Sequence, residues 1–403
     1  MKKRVFILNS KRTAIGKFLG SFYECNVVDV CTQLTKDLLN GFDKKDIDEV
    51  IFGNVVSAGL GQGIARAIAI QSGVPLETPA YSVGMVCGSG MQAIINGCKS
   101  IQCGNNLELV GGFEFMSNIP YATASYLRLG KKFGDFTMID LMTHDGLIDT
   151  INGVHMGITA ENIARDLNIT RKDQDEYSYL AQQRAINAVD SGVFKDEIVP
   201  ISLKDWKKRS YIFDIDEFPN RESTLEKLAS LKPTFIKDES GTITAGSSSG
   251  INDGASFLLI GSEEYCNGKG IKPSIEIVDA VSVGCDPLKM GLGPFYAISK
   301  LIEKTKIDFK DIGVFEINEA FAAQVLGCYK LLAERFDVSV DYMIGRTNIN
   351  GSGLALGHPL GASGARIVTT LAHFMEKNDV KYGVASLCVG GGQGLAILLR
   401  KVD

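Results

Sequence analysis

The sequence predicts an α/β protein built from two similar halves. In the first third of the chain, residues 50–52 and 107–110 form short apolar runs typical of strands, and residues 91–102 carry apolar side chains at helical spacing. The last third repeats this alternation, whereas the stretch between the two has a different composition. We therefore predict two α/β halves related by pseudo-symmetry and separated by an insertion.

Three pairs of segments carry the internal similarity. They are a strand that ends in Asn, a helix start rich in Gly and Ala, and a strand that runs into consecutive glycines. The pairs are 46–54 with 311–318, 88–93 with 359–370, and 107–112 with 384–392. The composition shifts near residue 119, and an apolar strand returns at 256–260. We therefore place the halves at 1–118 and 251–403, with the insertion at 119–250.

The bulk composition is that of an ordinary globular protein and excludes several functional classes. Apolar residues make up 45% of the 403 positions, charged residues make up 22%, and the net charge is −5. A negative chain without a Lys- and Arg-rich arm does not favour nucleic-acid binding. No apolar run approaches the ~20 residues that a membrane-spanning helix needs.

The cysteines and the first strand predict a cytoplasmic location. The nine cysteines are odd in number and show neither CxxC pairs nor zinc-ligand spacing, which predicts free thiols in a reducing compartment and no metal site. Because an apolar strand begins at Val5, we expect no transit peptide.

Cys87 is the candidate nucleophile. The sequence Cys87-Gly88-Ser89-Gly90 lies where an extended segment turns into a helix, and a helix N-terminus lowers the pKa of a nearby thiol. A thiolate can attack a thioester and hold the acyl group covalently. The alternative is a buried structural cysteine, which we expect for the other cysteines apart from Cys388.

His358 and Cys388 are the candidate bases. His358 opens a segment in which Gly357 and Pro359 restrict the backbone on both sides, and a neutral imidazole there could accept the thiol proton. Cys388 precedes a glycine run at the end of the last third. That run lacks GxGxxG and GxxxxGK spacing, so we reject a phosphate-binding interpretation. The alternative for His358 is a structural histidine.

Four segments together resemble the thiolase family, and the resemblance runs from the N-terminal strand to the C-terminus. The segments are Cys87–Gly90, Asn318–Ala322 (NEAFA), Gly357–Gly364 (GHPLGASG) and Cys388–Gly394 (CVGGGQG). The resemblance implies a thiolase fold, with two halves in a five-layered αβαβα core. It also implies that the insertion is a loop domain that binds coenzyme A and makes tetramer contacts.

The resemblance also implies roles for the site residues. Cys87 would carry the acyl group, His358 would take its proton, and Cys388 would deprotonate the incoming thiol or the methyl carbon of acetyl-CoA. The N–H groups of Gly390 and Cys87 would form one oxyanion hole. Asn318 would hold a water beside His358 in the other, although capping of the next helix is a competing interpretation.

The coenzyme A contacts are implied in the same way. Segments 155–162 and 244–250 would line the slot for the pantetheine arm, and the second of these is rich in small residues. The residues assigned to coenzyme A are His155, Met156, Ser249, Ala245, Leu147, Phe235, Met290, Phe321 and Arg221.

The chain departs from the family pattern at the loop arginine. Biosynthetic members of the family usually have Arg directly after a loop proline, whereas here Asn220 follows Pro219 and Arg221 comes next. This difference affects the expected affinity for the adenine end of coenzyme A, but it removes no catalytic group.

The resemblance implies acetyl-CoA C-acetyltransferase activity, which condenses two acetyl-CoA into acetoacetyl-CoA and coenzyme A by a ping-pong mechanism. The expectation includes no cofactor beyond coenzyme A as substrate and product, no nucleic-acid or membrane partner, and a homo-oligomer that is a dimer of dimers. The alternatives are a degradative 3-ketoacyl-CoA thiolase, a decarboxylating ketosynthase and a non-catalytic scaffold. In a ketosynthase a second His would stand where Asn318 is, and a scaffold would be expected to lack Cys87, His358 or Cys388.

Overall fold

Ten strands form one sheet that runs through both halves of the molecule. The computed structural model describes residues 3–205 and 207–402. The strands are β1 (Val5–Arg12), β2 (Gly16–Lys17), β3 (Glu49–Gly53), β4 (Ala80–Val83), β5 (Leu107–Phe115), β6 (Tyr121–Thr123), β7 (Met138–Asp140), β8 (Ile148–Asp149), β9 (Val154–His155), β10 (Ile201–Lys204), β11 (Ser210–Phe213), β12 (Asn252–Ser262), β13 (Ile275–Gly284), β14 (Val314–Ile317), β15 (Tyr382–Val389) and β16 (Gln393–Lys401).

The helices lie between the strands along the chain. They are α1 (Val27–Leu38), α2 (Ile64–Gln71), α3 (Ser89–Cys103), α4 (Met156–Asp166), α5 (Arg171–Asp190), α6 (Leu225–Ser230), α7 (Glu263–Lys269), α8 (Gly293–Thr305), α9 (Ala322–Phe336), α10 (Val340–Arg346), α11 (Gly353–Leu356) and α12 (Leu360–Asn378). Among the residues that the structure describes, no helix combines the length and the apolar character needed to cross a membrane.

The two halves have the same strand order and orientation. In the first half β3, β5, β12 and β1 lie side by side, and in the second half β14, β15, β16 and β13 do so. The first pair in each half is parallel and the next two pairs are antiparallel. Even the register shift recurs, between Ile7 and Asn9 in β1 and between Ile277 and Asp279 in β13. The pseudo-symmetry predicted from the sequence is therefore present.

Strand pairing places β12 in the first half. It lies between β1 and β5, the position that β16 occupies in the second half. The predicted limit at residue 250 assigns this strand to the second half, so by pairing the second half starts after β12. A local pattern of apolar residues reveals a strand but not its neighbours, which is why the sequence placed this limit one strand early.

Alternate residues of the strands face different helical layers. On β3, Val50 and Phe52 belong to the apolar cluster of α1 and α2, whereas Ile51 belongs to that of α3 and α12. On β15, Val384 belongs to the cluster of α8 and α9, and Ala385 to that of α3 and α12. Because successive side chains of a strand point to opposite faces, α3 and α12 form a central layer between two sheet regions. The predicted αβαβα layering is confirmed.

Glycines allow the two central helices to approach closely. A Cβ on Gly90 of α3 would lie 2.6 Å from the carbonyl oxygen of Gly361, and one on Gly364 of α12 would lie 2.6 Å from the backbone nitrogen of Met91. Such distances leave no room for a side chain, so these positions require glycine. The contact lies in the first turn of both helices, and it therefore brings together the segments that precede them.

Candidate active site

Cys87 lies in a tight turn between β4 and α3. Val86, directly before it, has a φ of +44°, a strained conformation for a β-branched residue. The Ser89 hydroxyl holds this turn by accepting from the Met85 N–H at 2.8 Å and donating to the Val86 carbonyl at 2.7 Å. Strain of this kind is a common feature of functional sites.

The Cys87 thiol is buried, and its raised pKa keeps it protonated at neutral pH. Burial raises its pKa to about 11, while the N–H groups of Gly390 and of Cys87 itself lower it and the charge of Glu114 raises it. The expectation that the helix N-terminus leaves a low pKa is therefore not met, because burial outweighs the favourable N–H groups. Those two N–H groups, predicted to form an oxyanion hole, do face the same sulfur.

His358 is fixed on both its backbone and its ring. Its N–H donates to the Asn252 side-chain oxygen at 3.0 Å, and a Cβ on Gly357 would lie 2.4 Å from the same side chain. The ring Nδ1 is 2.5 Å from the Ser363 hydroxyl, which donates its own proton to the Pro359 carbonyl at 2.8 Å. Ser363 can then only accept from Nδ1–H, so Nε2 carries the free lone pair.

The imidazole of His358 is neutral over the physiological range. Burial, followed by the positive charge of Arg366, lowers its pKa to about 3. A neutral ring with a free Nε2 can accept a proton, as the sequence predicted for this residue.

Asn318 lies beside His358 and does not cap a helix. It follows β14, and its Nδ2 is 3.4 Å from each of the two ring nitrogens of His358. Helix α9 begins at Ala322 and has Phe321 at its N-cap position, so the capping interpretation of Asn318 is wrong. Its Oδ1 is buried and has no hydrogen-bond partner among the described residues, which leaves that atom available to a bound group.

Cys388 lies near the end of β15, close to Cys87. It is fully buried, and burial together with the neighbouring charge of a Cys87 thiolate raises its pKa well above the ordinary value. The glycines after it form the hairpin turn into β16, in which Gly391 and Gly392 have φ values of +80° and +81°. The glycine run is thus a turn, consistent with our rejection of a phosphate site.

Several of the predicted coenzyme A residues lie near these side chains. Phe235 stacks on the His155 ring at 4.7 Å and meets Phe321 edge-on at 6.0 Å. The Ser249 N–H donates to the Ala320 carbonyl at 2.9 Å, which places the 244–250 segment along the Asn318–Phe321 loop. A Cβ on Gly390 would lie 3.6 Å from the Met156 sulfur. Apolar and small side chains therefore lead towards the two cysteines.

The other predicted contacts differ in their surroundings. Met290 is buried in the cluster of Met156 and Phe321, and Leu147 packs against the cluster that contains Cys87. Ala245 lies in a short turn in which Thr244 and Ser247 cap each other. Arg221 is exposed, and its guanidinium pairs with Asp190 at 2.6 and 2.9 Å. No contact among the described residues joins Arg221 to the others, and its role stays a prediction.

Two polar residues of the site were not predicted. Ser363 lies within the segment Gly357–Gly364, but neither it nor Glu114 was assigned a role from the sequence. Glu114 is one of two carboxylates, with Glu108, in the otherwise apolar strand LELVGGFEF, and this was the only pattern that could have indicated it. In the described part of the chain no group of His, Cys, Asp and Glu is arranged to hold a metal ion.

Comparisons with known proteins show the family of this chain. The family model "Thiolase, N-terminal domain" matches residues 5–264, and "Thiolase, C-terminal domain" matches residues 271–401. The chain is 41% identical over 404 residues to an acetyl-CoA acetyltransferase of Escherichia coli, with all of both chains covered.

Solved structures show the same relationship. The structure of an acetyl-CoA acetyltransferase from Syntrophomonas wolfei matches with a TM-score of 0.95 at 38% identity, with 100% of both chains covered. Human mitochondrial 3-ketoacyl-CoA thiolase matches with a TM-score of 0.92 at 38% identity, with 99% of both chains covered. The chain therefore belongs to the thiolase family and is an acyltransferase with the thiolase fold.

Proposed function

We propose that this protein is an acetyl-CoA C-acetyltransferase that condenses two acetyl-CoA into acetoacetyl-CoA and coenzyme A. One arrangement carries the proposal. Cys87 and His358 lie at the starts of the two central helices, and Cys388 lies near the end of β15. Both cysteines are buried, and the histidine is neutral with a free Nε2. The names of the relatives supply the substrate. Acetyl-CoA, acetoacetyl-CoA and coenzyme A are the proposed partners, and no cofactor is added to them.

The first half-reaction transfers an acetyl group to Cys87. Because the pKa of the thiol is about 11 and that of His358 about 3, the resting pair is neutral, and the proton moves to Nε2 only as the sulfur attacks the thioester carbonyl. The N–H groups of Gly390 and Cys87 are candidates to hold the resulting oxyanion. As the bond between carbon and sulfur breaks, the coenzyme A thiolate takes the proton of Cys388 and leaves as a thiol.

The second half-reaction forms the carbon–carbon bond. The Cys388 thiolate removes an α-proton from a second acetyl-CoA, and the carbanion attacks the acetyl-Cys87 carbonyl. Cys87 leaves as a thiolate and recovers its proton from the His358 imidazolium, which restores every group to its starting state. In this scheme Asn318 would position a water beside His358 to hold the second substrate's carbonyl oxygen.

The closest alternative is a 3-ketoacyl-CoA thiolase that acts on longer chains. The match to the human enzyme of that name is nearly as good as the match to the acetyltransferases. The segments CGSG at Cys87 and His-Met-Gly at His155 favour short chains by resemblance.

Thiolysis assays test the proposal. With coenzyme A in excess, acetoacetyl-CoA should be cleaved with a higher kcat/KM than 3-ketoacyl-CoAs of six or more carbons. Incubation with acetyl-CoA alone should add one acetyl group per chain, on the peptide that contains Cys87, and Cys87→Ser should abolish both reactions because an alcohol is a poor nucleophile at neutral pH. A preference for long chains, or acetyl label on Cys388, would contradict the proposal.

The proposal includes a homotetramer in the cytoplasm. Strand β4 lies at the edge of the sheet with exposed Tyr81, and such an edge can pair with a second chain. All nine cysteines are free, which suits a reducing compartment. Light scattering at micromolar concentration should give four times the chain mass of 43.5 kDa. The mass of a monomer would contradict the proposed oligomer. The mass of a dimer would mean that the chains associate only through the edge at β4.

A further inference from the structure

Glu114 is a buried carboxylate that accepts hydrogen bonds from four N–H groups. It lies on β5 with 1% of its surface exposed. Its Oε1 accepts from the Asn54 side chain at 3.0 Å and from the Val56 N–H at 3.1 Å. Its Oε2 accepts from the N–H groups of Val55 at 2.9 Å and Gly361 at 3.0 Å. Both oxygens are thus fully used.

No cation compensates this carboxylate in the part of the chain that the structure describes. Burial raises the pKa of Glu114 to about 7, and the donated N–H groups are what lowers it. Because an unpaired buried charge is costly, the carboxylate is retained only where its donors are held in place. The four donors and the carboxylate therefore constrain each other.

The donors come from the two segments that set the catalytic geometry. Gly361 lies three residues after His358, in the first turn of α12. Residues 54–56 directly follow Gly53, where a Cβ would lie 2.3 Å from the Ser89 backbone at the start of α3. The Gly361 carbonyl in turn lies against Gly90, where a Cβ would be 2.6 Å away. One carboxylate therefore connects the segment of His358 with the support of the segment of Cys87.

We propose that Glu114 is a positioning residue for the acyl transfer: its carboxylate fixes the start of α12, and with it His358, relative to the start of α3, which follows Cys87. It touches neither substrate nor reacting atoms and acts only through the backbone groups that it binds. This inference rests on the proposed function, because the reaction to be positioned is that of Cys87 and His358.

Glu108 offers a matched control on the same strand. It is also buried, burial raises its pKa to about 8, and it differs from Glu114 in its contacts. Among the described residues its side chain accepts only from Asn105, at 2.7 Å, and its neighbouring charges are Glu49 and Asp48. A general effect of removing a buried acid from β5 would therefore appear in Glu108→Gln as well as in Glu114→Gln.

The test compares Glu114→Gln, Asn54→Ala and Glu108→Gln in the full-length enzyme. In Glu114→Gln the amide NH₂ faces two N–H donors whichever way it is oriented, so two of the four bonds are lost. We expect kcat for acetoacetyl-CoA thiolysis to fall by about 10²-fold, the effect of a misplacement of about 1 Å, with KM for coenzyme A unchanged. Asn54→Ala, which removes one donor, should lose less in the same direction, and Glu108→Gln should keep wild-type kcat.

Amide hydrogen exchange gives a readout that does not depend on activity. Peptides covering 54–57 and 358–364 should exchange faster in Glu114→Gln than in the wild type and Glu108→Gln. Unchanged exchange, unchanged kcat, or an equal loss of kcat in Glu108→Gln would overturn the inference, as would a rise in KM that accounts for the whole loss. If Glu114→Gln does not fold, Asn54→Ala decides by the same measures. A wild-type protein without thiolysis would overturn the proposed function, while the exchange experiment would still test the bonds of Glu114.

Discussion

The imidazole of His358 depends on one hydroxyl for its orientation. Ser363 accepts from Nδ1–H at 2.5 Å and is itself held by the Pro359 carbonyl, so the proton stays on Nδ1 and Nε2 stays free. Both groups are buried, and the Asn318 Nδ2 that lies 3.4 Å from Nδ1 is a donor, so among the described residues Ser363 is the acceptor for Nδ1–H. The base is therefore prepared before substrate arrives, which is how an enzyme lowers the cost of proton transfer.

Ser363→Ala should lower kcat while leaving KM for coenzyme A unchanged. Without the acceptor, Nε2–H becomes as favourable as Nδ1–H, and part of the general-base contribution of about 10²–10⁴-fold is lost; we expect a loss of about tenfold or more. Because the pKa of His358 is about 3, kcat should show no acid limb from this residue between pH 5 and pH 8. Steady-state thiolysis across that range checks both points.

A suitable control for Ser363→Ala is Ser299→Ala in α8. That serine is also buried, but its hydroxyl has no hydrogen-bond partner among the described residues and it lies outside the site. An equal kcat in the two variants would show that Ser363 does not orient the ring.

The two central helices set the positions of the catalytic side chains. Helices α3 and α12 start directly after Cys87-Gly88 and His358-Pro359, and their close contact at Gly90 and Gly364 sets how far apart those starts lie. The same positions are related by the internal repeat, so each half of the chain contributes the turn that precedes one central helix to the site. This is why four segments separated by up to three hundred residues can act together.

Gly364→Ala should destabilise the protein and reduce activity. The new Cβ would lie 2.6 Å from the Met91 backbone nitrogen and 2.7 Å from its Cβ, so α3 and α12 must separate. Overpacking of this kind costs about 1–3 kcal/mol of the free energy of unfolding. Urea unfolding measures that cost, and a parallel fall in kcat is expected because the helix starts move with the helices.

Gly345→Ala is the matched control for this prediction. Gly345 lies within α10, its φ is not left-handed, and a Cβ there meets no atom within 4 Å. This variant should gain up to about 1 kcal/mol, since Ala is the better helix former. If both variants unfold at the same urea concentration, the helix contact does not constrain the structure as argued.

Across the whole molecule, sequence patterns predicted features formed by residues that are neighbours along the chain. The strand-to-helix turn at Cys87 and the equivalence of β3 with β14 follow from local periodicity and glycine placement. The four N–H donors of Glu114 could not be predicted, because Gly361 is 247 residues away and donates through its backbone. Every residue except proline carries a backbone N–H group, so no sequence pattern marks the ones that act as donors. Strand pairing has no local pattern either, which is why the neighbours of β12 could not be predicted.

Buried acids should make the stability of the whole chain fall as the pH rises. Burial raises the pKa of Glu108 and Glu316 to about 8, of Glu114 to about 7 and of Asp253 to about 6. Between their unfolded values and these folded values, the native state binds more protons than the unfolded state, so the free energy of unfolding decreases with pH. The depressed pKa of His358 acts with the opposite sign, but only below its unfolded value of about 6.5.

The window from pH 6.5 to pH 8 therefore tests mainly the buried acids, and the remaining contribution of His358 is the same in the wild type and in Glu108→Gln. Each acid that stays protonated in the folded state lowers the free energy of unfolding by up to about 1.4 kcal/mol per pH unit in this window. Glu108→Gln should remove the contribution of Glu108 while keeping an acceptor for Asn105. In urea titrations at pH 6.5 and pH 8, the wild type should lose stability with rising pH and Glu108→Gln should lose less. The exposed Glu264→Gln should follow the wild type. Parallel lines for wild type and Glu108→Gln would mean that Glu108 is already ionised in the folded protein at pH 6.5.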